Sequence, residues 1–207
     1  MTTESKAYPV NLKGEITVMP SRWIWIFKWL LAIPHYIILC FLWIAFVVVS
    51  FISFWAIVFT GKYPKGLFDF NSGVLRWTWR VGFYSYQALG TDKYPPFSLD
   101  PDPNYPADLE IPYPEKLSQG LVWIKWWLLA IPHYIVVVII QGGTGENSGG
   151  GLTTILALFG AIALLFTGKY PADIFRLVIG LNRWVYRVAA YASLMRDEYP
   201  PFRLWDN

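Results

Sequence analysis

His35 and His133 are the only histidines in the 207 residues, and each directly follows a proline, Pro34 or Pro132, inside an apolar stretch. Two imidazoles at equal depth in a symmetric protein could hold a haem by bis-histidine ligation, or a metal between them, and so carry electrons. The competing reading is structural. Proline removes a helical hydrogen bond, and an adjacent histidine can help satisfy the polar defect. No carboxylate, cysteine or second histidine lies near either one in sequence, so the structural reading is preferred, with no resident cofactor and no metal expected. Cys40 is the single cysteine, which leaves no intrachain disulfide and no site built on two thiols. Paired catalytic carboxylates, a nucleophile elbow, a phosphate-binding glycine loop and zinc-ligand spacing are absent, so the chain reads as a non-enzyme.

Three further sets of polar residues stand out. The string FTGKYP occurs at 59–64 and 166–171, where Lys62 and Lys169 could meet lipid phosphates with Tyr63 and Tyr170 at headgroup depth. The plainer alternative is a turn, in which glycine supplies the conformation and proline starts the next element. Arg76 and Arg80, like Arg183 and Arg187, are four residues apart on one helical face, suited to headgroups or acidic side chains. Asp92 and Asp197 precede YPPF segments and are expected to pair with these arginines or to stay solvated.

These residues recur because the chain repeats itself. WIFKWLLAIPHYII at 25–38 returns as WIKWWLLAIPHYIV at 123–136, an offset of 98, whereas FTGKYP and the arginines return at 107 and the Asp and YPPF at 105. The units are residues 1–104 and 105–207, each opening near a similar YPxxL string, with a proline-rich acidic bridge between them expected to be extended and exposed. The change of offset places a nine-residue insertion in the second unit, at the glycine-rich stretch 141–151.

With 55% hydrophobic and 15% charged residues, and residues 30–59 free of formal charge, the composition calls for a membrane. The polar first twenty residues lack the order of a cleaved signal peptide. The net charge of +3 without a basic run argues against nucleic acid as a partner. A polar insertion cannot face hydrocarbon, so the expectation is an all-α membrane protein in which each unit is a transmembrane hairpin, 21–60 and 118–167. An amphipathic interfacial helix follows, 67–89 or 174–195, and then an extended YPPF segment. That hairpin keeps all 17 Lys and Arg on one side, hence a multi-pass protein of the cell membrane with both termini cytoplasmic. The turn at 40–43 lacks a turn former, so one long helix is the alternative there.

The order AIPHY, FTGKYP, LFDF, RW, R and D-x-YPPF resembles a family of small prokaryotic membrane proteins catalogued only as a domain of unknown function, once per unit. The second unit departs by its insertion and by Ile174, Phe175 and Arg176 in place of LFD. The resemblance implies a membrane location and no assigned chemistry. The preferred function is a structural, accessory or lipid-interacting membrane component, with the bilayer, anionic lipids, a membrane-protein partner or a second copy as its partners. A small transporter or channel subunit is the second class, and a haem or metal electron-transfer protein the third.

Overall fold

The leucine, isoleucine and phenylalanine that follow Lys28 pack well against one another on a helix, and no residue before Gly61 breaks it. The computed structural model describes residues 8–142 and 150–205, and in it this run is one helix of 33 residues, α1 (Lys28–Thr60). It is entered through a short 3-10 turn, Ile24–Phe27. The hairpin expected over 21–60 is therefore replaced by the long-helix alternative, because nothing at 40–43 supplies a turn. Pro34 sits inside α1 and denies the preceding turn a donor. The hydroxyl of Tyr94, from the far end of the unit, donates to the Leu31 carbonyl of that turn at 3.0 Å.

Gly61, with φ +68°, closes α1 and returns its N–H to Ile57 at 2.8 Å, while the Thr60 hydroxyl donates to Ala56. Pro64 then opens α2 (Lys65–Tyr84). Thr, Gly and Pro of TGKYP thus shape the turn, and the second copy repeats it, with Gly168 at φ +72° ahead of α5 (Ala172–Ala192).

In the second unit the counterpart of α1 is broken into α3 (Ile131–Gln141) and α4 (Leu152–Thr167). They do not form the expected hairpin of 118–167. His133 of α3 meets Trp184 of α5, as His35 meets Trp77 of α2, and α4 ends in the same turn as α1, so the two pieces follow one another in line. The chain leaves at Gly142 (φ +86°), and the Thr153 hydroxyl donates to the Ile140 carbonyl at 3.0 Å across the break. Most of the insertion, residues 143–149, lies outside the described residues.

A second length difference is absorbed within the helix. Lys125–Leu129 forms a π-helical turn, one residue wider than an α turn, so the offset is 97 at Lys28 and Lys125 but 98 at His35 and His133.

Helices α2 and α5 are internal, not interfacial. Asn71–Tyr84 is buried almost throughout, between α1 on one side and strand β2 (Ala107–Glu110) on the other. The bridge between the units is correspondingly buried at Tyr105, Ala107, Leu109 and Ile111. Its strand pairs antiparallel with β1 (Asn11–Gly14), an addition to the all-α expectation.

This pairing reveals the symmetry. Leu12 faces Leu109, its own counterpart at offset 97, and Trp79 of α2 meets its counterpart Tyr186 of α5 with ring centroids 5.6 Å apart. A pseudo-twofold axis through both pairs puts the long helices on one face and the strands on the other. Each unit lends its strand to the other: β2 packs on α2, and β1 packs on α5. Tyr8 donates to Glu198 O at 2.9 Å, and Tyr105 donates to the equivalent Lys93 O at 3.3 Å. Burial raises the pKa of both phenols, so both remain protonated donors.

Candidate functional site

The residues singled out in sequence gather along the groove between each long helix and the helix that returns against it. Lys28 is fully buried at the start of α1, and its ammonium lies 2.9 Å from Asp92 and 2.7 Å from the Thr91 carbonyl, with the Tyr84 ring beneath it at 5.0 Å. Asp92 also accepts from the backbone N–H of Ser21. The second unit repeats the clasp: Lys125 sits 2.7 Å from Asp197, which accepts from Ser118 N–H at 2.6 Å, and Tyr191 lies beneath at 5.7 Å. The aspartates thus pair with buried lysines, not with the arginines expected from sequence. A lysine can occupy such a site only with a carboxylate and further acceptors, because burial alone disfavours its charge.

Two turns along, His35 stands in an aromatic cage. Trp77 Nε1 donates to its Nδ1 at 3.0 Å, Phe97 stacks on the ring at 4.0 Å and Tyr94 lies at 4.8 Å. His133 has the same surroundings, with Trp184 donating at 3.1 Å, Phe202 at 4.3 Å and Tyr199 at 4.7 Å. Because Nδ1 accepts from tryptophan, a neutral imidazole carries its proton on Nε2, which removes the lone pair that iron or another metal would need. Each ring is enclosed by its own unit, so the bis-histidine site envisaged for His35 and His133 is replaced by two separate packing cages. Among the described residues no three His, Cys, Asp or Glu side chains gather into a metal site.

The arginines are also turned inward. Arg80 is fully buried and reaches Asp100 O at 2.9 Å and Asp108 at 3.2 Å, and Arg76 reaches Asp108 at 3.2 Å and Leu99 O at 2.8 Å. In the second unit Arg187 is fully buried, with Arg203 O at 3.3 Å and the Tyr8 ring at 5.5 Å, and Arg183 donates to Leu204 O at 3.3 Å. These contacts hold the tail after YPPF against the helix. Tyr63 is buried and accepts from Asn71 at 2.9 Å, and Tyr170 is buried and donates to Ala88 O at 3.1 Å. Of the headgroup candidates only Lys62 and Lys169 are exposed.

From sequence Lys28 and Lys125 read only as lysines near the helix ends that can snorkel to the surface, whereas both are buried in the clasps; an offset of 98 aligns Lys28 with Trp126, and the π turn hides the match. The sequence reading also missed Trp77, Trp184, Phe97 and Phe202, whose spacing from the histidines carried no local signal.

The arrangement defines a duplicated helical unit in which a long apolar helix, a shorter return helix and an extended tail are locked together by a lysine clasp and a histidine cage. The chain belongs to the family described as a domain of unknown function, DUF4389, which matches it twice, over residues 22–98 and 121–203. No curated protein and no solved structure matches it.

What remains facing outward on the long helices is apolar. Phe41, Ile44, Val47, Phe51 and Phe59 of α1, and Ile135, Ile139, Ile155, Phe159 and Phe166 of α3 and α4, are all exposed at 60% or more. One stretch, Ile24–Thr60, is long and apolar enough to cross a membrane.

Proposed function

We propose that this protein is a non-enzymatic structural component of the cell membrane that interacts with lipid through the apolar face of its two long helices. The observation that supports this reading is that face itself. It is continuous along α1 and is repeated by symmetry on α3 and α4, far beyond the scattered apolar residues of an ordinary protein surface. The buried histidines, lysines, arginines and aromatics of the repeated strings hold the fold together, which leaves the outward side chains of the long helices as the part of the molecule directed at a partner. The exposed Lys62 and Lys169, in the turns at the ends of α1 and α4, are positioned to meet anionic headgroups, with both termini on the cytoplasmic side.

The test is extraction. The protein, reconstituted into vesicles, is expected to float with them through high-salt and alkaline washes that strip electrostatically bound proteins. Release by salt alone would contradict the reading, because apolar burial does not weaken with ionic strength.

A further inference from the structure

The long helices of this fold invite the assumption that they cross the bilayer, yet the layers stacked on them do not fit such a pose. We infer that the protein lies flat in a single leaflet, with α1 and the α3–α4 line parallel to the membrane plane, their exposed apolar faces in acyl chains and the strand layer in water. The inference rests on the lipid-interacting reading above and adds the orientation.

Length is the first argument. A helix of 33 residues is about 50 Å long, against a hydrocarbon core of about 30 Å, so a crossing α1 would need strong tilt or long protrusions.

The second argument is the position of charge. Trp77 lies on α2 between Arg76 and Arg80, donates to His35 and clusters with Leu39, about a third of the way along α1 and so inside a core of about 30 Å centred on a helix of about 50 Å. At that level Asp108 joins both arginines, and beside it the strand layer exposes Lys13, Glu15, Asp100 and Glu110. If α1 stood upright, these charges would lie alongside it at bilayer depth, where ionised side chains are rare and costly unless enclosed. If α1 lies flat, they are on the far side of α2 from the lipid, in water.

The third argument comes from the other unit. The chain leaves the helical line at Gly142 and rejoins it at Gly150, level with Trp43 and Ile44 of α1, with Gly-Thr-Gly-Glu-Asn-Ser-Gly between. An upright pose would set the end of α3 at Gly142, with φ +86°, midway through the hydrocarbon, where a helix interrupted against lipid is not tolerated. A flat pose lets the interruption occur at the interface. The exposed surface of the long helices is then one uncharged apolar slab for acyl chains.

Spin labels placed singly at Leu30, Ile44 and Phe59 in a Cys40→Ala background test this. All three sites are exposed on α1 and spread along its length, so the labels do not disturb the interior. The protein labelled at native Cys40 serves as a reference without substitution. Depth is read in vesicles from collision with oxygen against a water-soluble nickel chelate. The flat pose predicts the same depth at the three positions to within about one helical turn, ~5 Å. A profile with Ile44 deeper than both ends by about 15 Å, half the hydrocarbon thickness, would overturn the flat pose while leaving membrane residence intact. Nickel access at all positions, with none to the oxygen-rich interior, would instead overturn membrane residence itself.

Discussion

Alanine in place of Trp79 is expected to destabilise the protein by about 3–5 kcal/mol, the range for losing a large buried aromatic, with the lost hydrogen bond acting in the same direction. Trp79 is fully buried where the two units meet: it packs on Tyr186 at 5.6 Å and on Phe83 at 5.5 Å, and donates to Lys13 O at 2.7 Å. It therefore joins α2, α5 and the strand layer at once, and the cavity left by alanine would open on the pseudo-axis. Thermal unfolding in mild detergent measures the effect, about 2–4 °C per kcal/mol for a chain of this size. Trp29→Ala is the comparison, since Trp29 is 55% exposed on the outward face of α1 and should change the melting temperature little in detergent. Equal losses at the two positions would contradict the layer order.

The second large effect is expected from Asp92→Ala. Lys28 is fully buried, and the substitution leaves its ammonium without a counter-ion, a loss of about 3–5 kcal/mol for breaking one side of a buried pair. Removing both partners, as Lys28→Met with Asp92→Leu, should recover much of the loss, because desolvation of the charge disappears with it. Asp69→Ala provides the contrast: its pair with Lys65 is more than half exposed on both sides and should contribute less than about 1 kcal/mol. If the double substitution were as damaging as the single one, the lysine would be needed for something beyond the clasp.

These two residues show how much of the protein its sequence discloses. The repeat, the turn at FTGKYP and the role of glycine within it are legible because they depend on neighbours a few positions apart. The pairing of Asp92 with Lys28 depends on a tail that returns along the whole unit, and the match to Lys125 is displaced by one residue that the helix absorbs as a π turn. The hairpin expectation failed for a related reason. A polar insertion requires that the chain leave the helix, but not that it reverse; Gly142 permits the exit, and Thr153 bonds across to Ile140 so that the line resumes. The arginines at 76, 80, 183 and 187 were legible as one face of a helix, while what covers that face was not, because the covering strands come from the opposite unit.

The repeated strings of the two units acquire a physical meaning from this geometry. Histidine, tryptophan, tyrosine and phenylalanine form the cage, lysine and aspartate the clasp, arginines the anchor of the tail, and glycine and proline the turn. The histidine cages and lysine clasps act within a unit, the arginines also reach the strand or tyrosine of the opposite unit, and Phe59 and Phe166 of FTGKYP belong to the outward apolar face.

The central claim is that this face contacts lipid, and the most direct measurement is vesicle partitioning of the Phe51→Glu, Ile155→Glu double variant, one exposed site on each long helix. Each carboxylate at hydrocarbon depth costs up to about 2.5–3.5 kcal/mol, so the variant should partition far more weakly than the wild-type protein, whereas Glu110→Lys on the strand layer should partition unchanged. Undiminished partitioning of the double variant, or an equal loss in Glu110→Lys, would contradict the account.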